Sequence, residues 1–371
     1  MVHLAQLAVP TSASPAPIWE RIAEIDAAWS YATIGMDVTD KVPRLLAQYA
    51  NQSARIKRTV VALADPAHGP VGDLGLPTIP SCGPDREREV WGHLWLGLQT
   101  MDNRHILETE FRTAIARQGH GIGSQLWNFA EETARARGRR VIQTWSHHPL
   151  PETTGRIVPT TGEGGIPRDS RTDFLMRRGL VLKLTERHAT LSLTAEAQRL
   201  ARLRGRLQDD DRYQIASWLG TTPAGRLAAM ARLRERMSAD VPVGDLSLEA
   251  EIWTPERVLA QERSQAIGGL LLTAAAEDLT SGDLAGYTQL VVQDALPDAA
   301  FQLDTLVTAP HRGRGLGLRL KLAALDLLAR TAPGVETVHT WNAPENTHML
   351  AINETIGFTP HSVVAQWEKT L

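Results

Sequence analysis

Two short glycine-rich runs are the residues best suited to chemistry: Gln118-Gly119-His120-Gly121-Ile122-Gly123 and Arg312-Gly313-Arg314-Gly315-Leu316-Gly317. A strand that ends in such a turn and feeds a helix aims several backbone N–H groups, and the positive end of the helix dipole, at one point. Glycine also removes the Cβ atoms that would hold a phosphate away. The chemistry is anion binding, although the pattern alone equally suits a tight turn. Two other phosphate patterns are excluded by spacing: GxxxxGK(S/T) does not occur, and the dinucleotide fingerprint fails because Leu320 stands where its third glycine belongs.

The two runs are parts of a larger repeat. Each glycine is displaced by 194 positions, and the pair Thr144-Trp145 recurs as Thr340-Trp341, displaced by 196. Phe174 to Leu180 answers Ile352 to Phe358 near the end of each copy. Three ordered matches imply a duplication, with copies over 1–205 and 206–371 and a joint near Arg202 to Arg212. Around them the sequence predicts the same elements twice. Strands at Val90–Leu98 and Ile106–Ile115 precede the first loop, and strands at Leu284–Val292 and Phe301–Val307 precede the second. Ile122, Leu126, Phe129 and Thr133 mark one helix face; Leu318, Leu322, Leu325 and Ala329 mark the other. The fold class is α/β, a mixed α+β sheet in each copy. A Pro/Gly/Thr-rich stretch from His147 to Asp173 has only Ala343 to Thr347 as its counterpart, and reads as a lid or a mobile insert.

The length of 371 residues, with 43% apolar and 22% charged, suits about two globular domains and excludes disorder and low complexity. A lone Cys82 excludes internal disulfides and CxxC metal sites, and no apolar run is long enough to span a bilayer. The expected place is the cytoplasm. Net charge is −3, yet the chain to Arg206 carries +5 and the remainder −8. A basic half suits a polyanion such as tRNA or an acidic carrier protein, or reflects drift in surface charge.

The second glycine run, preceded by the strand residues Asp304 to Val307, resembles the (R/Q)-x-x-G-x-(G/A) acyl-CoA signature of the GNAT N-acyltransferase superfamily. Trp341-Asn342, Asn346, Asn353 and Gly357-Phe358 resemble its later motif. The resemblance covers nearly the whole chain as two tandem acyl-CoA N-acyltransferase domains, the actinobacterial type that includes mycothiol synthase. It implies that loop amides hold the pyrophosphate of acetyl-CoA or another acyl-CoA. Arg312, Gly313, Arg314, Gly315, Leu316 and Gly317 would bind it in the second copy, with Gln118, Gly119, Gly121 and Gly123 in the first. Asn342 and Asn346 would meet the pantetheine arm, and a backbone N–H near Leu306 or Val307 would polarise the thioester. The second copy keeps more of the pattern, which makes it the expected donor-binding and catalytic domain and the first a degenerate or supporting one.

The family's acid, a Tyr four residues before the motif's Gly-Phe pair, is replaced by Asn353 and, in the first copy, Leu175. Asp304 is a candidate proton acceptor or a hydrogen-bonded strand residue. His348 and His339 are each a base or a structural imidazole. Glu108 and Glu110 form an acidic strip along an amine groove or the polar side of a strand. No residues stand at metal-ligand spacing. The expected reaction is acyl transfer from acyl-CoA to a primary amine of a small molecule, by direct attack on the thioester. The alternatives are the same fold with an aminoacyl-tRNA or acyl-carrier-protein donor, and a non-catalytic acyl-CoA-binding or scaffold protein.

Overall fold

The computed structural model describes residues 2–11, 15–47, 49, 52–83, 87–151, 155–207 and 210–371. These form two compact units. The first takes Met1–Thr185, Gly244–Leu248 and Val364–Leu371; the second takes Glu186–Val243 and Glu249–Val363.

The first unit runs β1 (His3–Leu7), α1 (Ile18–Ile34), α2 (Val42–Ala47), β2 (Arg55–Leu63), β3 (Thr78–Ile79), β4 (Val90–Gln99), β5 (Ile106–Thr113), α3 (Ile122–Ala136), β6 (Val141–Pro149), β7 (Arg156–Ile157), β8 (Ile166–Pro167), α4 (Ser170–Arg177) and the start of β9 (Val181–Ser192). Its sheet order is β3-β1-β2-β4-β5-β6. β2, β4 and β5 pair antiparallel in sequence, whereas β5 and β6 are parallel, so α3 must cross over between them. One face buries Trp19, Ile22 and Ile25 of α1 against Val61 and Leu63 of β2. The stretch from His147 onward folds in part as a hairpin of β7 with β8, and α4 opens on a capping box in which the Asp169 side chain accepts from the N–H of Arg171 and Thr172.

The second unit continues with α5 (Ala197–Arg206), β10 (Tyr213–Leu219), α6 (Leu227–Asp240), α7 (Pro255–Ala266), β11 (Gly269–Asp278), β12 (Asp283–Gln293), β13 (Leu296–Val307), α8 (Leu316–Thr331), β14 (Thr337–Asn342), α9 (Thr347–Ile356) and the start of β15 (Thr359–Thr370). Its strands lie in the order β10-β11-β12-β13-β14-β9, with β13 and β14 the parallel pair. The joint expected near Arg202 to Arg212 therefore lies inside this unit, where Arg202, Arg204 and Arg206 belong to α5. The chain changes unit within β9, between Thr185 and Glu186, without a linker for composition to reveal.

α8 carries the main core of the second unit. Leu316, Leu320, Ala324 and Leu328 form its buried stripe, joined by Leu322 and Leu325, while Leu318 is half-buried and Ala329 is exposed. The expected face was thus rotated, because α8 packs on both the sheet and α9 and buries more than a single stripe. Among the described residues no helix is long and apolar enough to cross a membrane.

Buried imidazoles tie stability to pH, and His147 is held lowest, to about 3, by burial and the Arg112 charge. Burial holds His148 down to about 4, helped by the Arg171 charge, and holds His339 down to about 4, helped by His361. All three lie below the ordinary value of 6.5, so the unfolded chain binds more protons in this window. Stability is fully present above about pH 6.5 and is lost as pH falls toward 4, by up to ~1.4 kcal/mol per pH unit for each imidazole. Urea unfolding at several pH values between these limits should show this decline, and a flat profile would contradict it.

Candidate active site

The glycine loops of the two units adopt one conformation. Each begins with a turn of 3-10 helix, Ile115–Arg117 or Ala309–His311, and passes through an extended Gln118 or Arg312. Gly119 and Gly313 follow at φ 77° and 76°, and Gly121 and Gly315, at φ 79° and 68°, cap α3 and α8. A Cβ at any of these four would meet nothing within 4 Å. Glycine is therefore required by the left-handed backbone, and the space before each loop is open. Neither helix has a side-chain cap, so its first N–H groups face that space.

The other loop residues divide by role. Arg312 donates from Nε to the Val307 carbonyl at 3.0 Å and from Nη2 to Asp240 Oδ2 at 2.9 Å, bracing the loop against the end of α6. Arg314 is exposed and Leu316 buried. Gly317 serves packing: a Cβ there would stand 2.9 Å from Ile352 Cδ1 of α9. Gly123 is looser, with Thr113 Oγ1 at 3.6 Å from such a Cβ.

Immediately before each loop the parallel strands part. β13 pairs with β14 only from Ala299–Thr337 to Phe301–His339, and β5 with β6 only from Ile106–Val141 to Thr109–Thr144. The remainder of β13 and β5 keeps its antiparallel partner on one side and has an open edge on the other. Thr308 N–H donates to the Ala285 carbonyl at 3.0 Å, which fixes the alternation of the ladder. The Leu306 N–H then points into β12, while those of Thr305 and Val307 face the opening. Of the two residues expected, Leu306 or Val307, the ladder phase leaves only Val307 with its N–H toward the opening, and it adds Thr305, because phase is set by pairing and no residue type announces it. β13 also has a bulge: two steps on β12, from Thr288 to Leu290, match three on β13, from Thr305 to Gln302. Asp304 sits in it, whereas β5 pairs with β4 without interruption from Leu107 to Thr113.

Asp304 is bound to groups that sequence reasoning missed. Its Oδ2 accepts from buried Arg234 of α6 and from the Tyr287 hydroxyl at 3.0 Å. Arg234 also donates to Gln289 Oε1 at 2.5 Å. Gln289 in turn donates to buried Glu262 of α7, which accepts from Thr222 N–H and Oγ1 at 2.7 and 2.8 Å. Burial, with the Asp304 charge beside it, pushes the Tyr287 phenol well above 10, so it stays a donor.

Glu110 occupies the matching position in the first unit, again 194 residues earlier. It pairs with Arg112, whose Nη1 reaches Asp26 Oδ1 of α1 at 2.8 Å; His93 Nε2 meets the same oxygen at 2.8 Å. Burial acts to raise Asp26, but the His93 and Arg112 charges outweigh it and hold the carboxyl down to about 2. Burial and the Asp26 charge hold Glu110 above the ordinary carboxylate value against the pull of Arg112. Glu108 faces Arg55, with 3.1 Å between Nη1 and Oε2.

On the other side of the second opening, Asn353 Nδ2 donates to Asn342 Oδ1 at 2.6 Å. Asn353 Oδ1 is buried and has no hydrogen-bond partner among the described residues, so this side chain presents an acceptor. Asn346 caps α9 by accepting from Met349 N–H at 3.2 Å, and His348 is exposed on the first turn. No hydrogen bond or ion pair joins His348 to Asp304 among those of the described residues. His339 is not solitary: its Nδ1 lies 3.0 Å from His188 Nε2, whose Nδ1 lies 2.7 Å from Ser362 Oγ. Phe301 and Trp341 stack on these rings, and Trp145 packs on Trp95. Among the described residues no group of three or more His, Cys, Asp or Glu could hold a metal ion.

Two copies of a mixed sheet, each opening beside a glycine loop, define the fold as a tandem GNAT arrangement. A tandem GNAT protein from the clavulanic acid biosynthesis pathway is similar over 100% of this chain and 98% of its own, with a TM-score of 0.74 and 21% identity. A GCN5-related N-acetyltransferase from Sphaerobacter thermophilus is similar over 100% and 95%, at 0.58 and 15%. A glucosamine N-acetyltransferase region of a fungal multi-domain GH3 β-N-acetylglucosaminidase is similar over 100% of this chain and 38% of its own, at 0.56 and 12%. No family model matches the sequence, and no curated protein does.

Asp26→Asn tests the charge cluster. Removing one partner leaves Arg112 short of a buried counterion, so the first unit should lose about 3 kcal/mol in denaturant unfolding at neutral pH. A loss below about 1 kcal/mol, the worth of a surface pair, would show that the cluster is solvated.

Proposed function

We propose that the protein is an N-acyltransferase that moves an acyl group, most simply acetyl, from acyl-CoA to a primary amine of a small molecule. The observation that carries this reading is the open edge of β13, where the Thr305 and Val307 N–H groups face a gap that leads directly into an uncapped glycine loop. Loop and helix amides suit a pyrophosphate, and the edge amides suit the oxyanion that develops when an amine attacks a thioester carbonyl. The C–N bond forms, the C–S bond breaks, and coenzyme A leaves as the thiol, taking up the proton that the amine nitrogen loses. The orphan Asn353 oxygen suits an N–H of the pantetheine arm. Asp304, half-exposed and already accepting from Arg234 and Tyr287, suits an incoming ammonium as the acceptor, directly or through water, of the proton it must lose before attack. In this reading the second unit holds the donor and does the chemistry, and the protein works in the cytoplasm.

A second reading adds the first unit as a live site. Glu110 stands at the same position as Asp304 beside an equivalent loop, and a carboxyl held above its ordinary value is a suitable base for an amine. Of the arginines that pointed to a tRNA or carrier-protein donor, Arg135 faces Glu131 at 3.6 Å and Arg137 donates to the Asp73 carbonyl at 2.6 Å. Part of that charge is answered within the first unit, and acyl-CoA remains the preferred donor.

Calorimetric titration of acetyl-CoA into the wild type, Gly121→Trp and Gly315→Trp tests both readings. Loss of binding confined to Gly315→Trp supports one donor site in the second unit; loss of one of two sites in each variant supports two. Folded wild type that binds no acetyl-CoA would refute the donor assignment. Against a panel of amines, Asp304→Asn should lower kcat/KM about a hundredfold while leaving acetyl-CoA binding in place.

A further inference from the structure

Lys321 is a buried lysine on α8, 1% exposed, without a charged partner among the described residues. Among the described residues its Nζ has a single long hydrogen bond, 3.4 Å to Gln302 Oε1, and it lies 5.7 Å from the centre of the Phe358 ring. Burial alone acts on the ammonium and brings it down to about 7. A buried ammonium that lacks a counterion is costly, so the position calls for an explanation. The duplicate gives a direct comparison. The matching residue in the first unit, 194 positions earlier, is Trp127, an ordinary core indole that packs on Phe111 and donates to Glu131 at 2.9 Å. The helix position therefore accepts an aromatic core residue, and the fold does not demand a charge there.

The surroundings of Nζ place it beside the point at which the two parallel strands part. Gln302 is the first residue beyond the last β13–β14 pair, Phe301–His339. Its amide is fixed by donating to Thr288 Oγ1 at 2.9 Å and to the Gln289 carbonyl at 2.6 Å, which leaves Oε1 turned to the lysine. Phe358 donates its N–H to the Asn353 carbonyl at 3.0 Å, and Asn353 is bound to Asn342 at the end of β14. The lysine thus lies between the elements that bound both arms of the gap, and five residues into the helix whose N-terminus meets the glycine loop.

We propose that Lys321 anchors a carboxylate at the far end of the donor's acyl group, so that the group transferred is a dicarboxylic half-thioester of the malonyl or succinyl kind. This rests on the acyl-CoA reading and names its donor class. A neutral acyl chain would leave the ammonium as isolated as it is now, whereas a carboxylate supplies the missing counterion and a charge-assisted hydrogen bond. In the transfer the amine nitrogen bonds to the thioester carbon, the C–S bond breaks, coenzyme A leaves as the thiol with the proton, and the distal carboxylate stays unchanged in the new amide. At about pH 8 the free lysine is mostly neutral, so arrival of the carboxylate draws close to one proton from the buffer.

The test is calorimetry at about pH 8, in two buffers of different ionisation enthalpy, with acetyl-CoA, malonyl-CoA and succinyl-CoA titrated into the wild type and Lys321→Met. Methionine keeps an unbranched apolar stem and removes the charge, and thermal melting reports whether the variant folds. The wild type should bind one of the dicarboxylic esters tenfold or more tighter than acetyl-CoA, with proton uptake. Lys321→Met should lose that preference and the uptake while still binding acetyl-CoA. Equal affinities without proton uptake in the wild type, or a preference that survives in Lys321→Met, would overturn the anchor and leave the donor reading intact. Folded wild type that binds no ester at all would overturn both. Should Lys321→Met fail to fold, proton uptake by the wild type with the dicarboxylic esters but not with acetyl-CoA still decides the matter.

Discussion

The site depends on two parallel strands that stop pairing. β13 and β14 hold together for three residue pairs and β5 and β6 for four, and then the glycine-loop strand continues with one edge bare. Bare edges are a liability in sheets, since their N–H and C=O groups seek partners. Here the edge is short and runs at once into a left-handed glycine turn and an uncapped helix. Backbone donors from the strand, the loop and the helix therefore converge without any side chain to set them.

A strand with one free edge needs support from elsewhere, and both units supply it by the same means with the polarity reversed. In the first, the arginine is on the strand, Arg112, and the carboxylate on the first helix, Asp26. In the second, the carboxylate is on the strand, Asp304, and the arginine on the helix, Arg234. Each is a buried or half-buried ion pair, which contributes little net stability beside an apolar substitute but is costly to break. Its effect is positional: it holds α1 or α6 over the opened strand and brings a carboxylate to the mouth of the gap. Surrounding hydrogen bonds complete each brace, through His93 in one unit and through Tyr287 and Gln289 in the other.

This reversal marks how far the sequence could be read. The glycine loops were legible because a positive φ demands a particular residue, and the Thr-Trp strands were legible because they recur. Arg234, Tyr287, Glu262, Asp26 and His93 were not, because they come from segments where the copies share no motif and meet the site only through folding. The pairing of Asn342 with Asn353 was partly visible as two polar residues in the later motif, but its consequence, an acceptor oxygen left unbound, needed the geometry. Leu306 and Val307 are indistinguishable in the sequence for a related reason: which amides face the gap depends on ladder phase, and a bulge at Asp304 alters the register within a few residues.

What the duplication kept and what it let vary separates scaffold from specificity. Loop angles agree within about ten degrees, and both strands part just before the loop, because these features arise from backbone constraints that few sequences satisfy. The residues beside the gap diverge: Trp127 against Lys321, and Leu175 against Asn353. Neither exchange conserves chemistry, and in both the second copy puts a polar group where the first has an apolar one. A core under selection for packing alone would shed such groups, since burying a polar atom without a partner is unfavourable by 1–3 kcal/mol. Their presence together, on the α8 and α9 sides of one opening, is what the proposed acyl donor, with polar atoms along its length, would require.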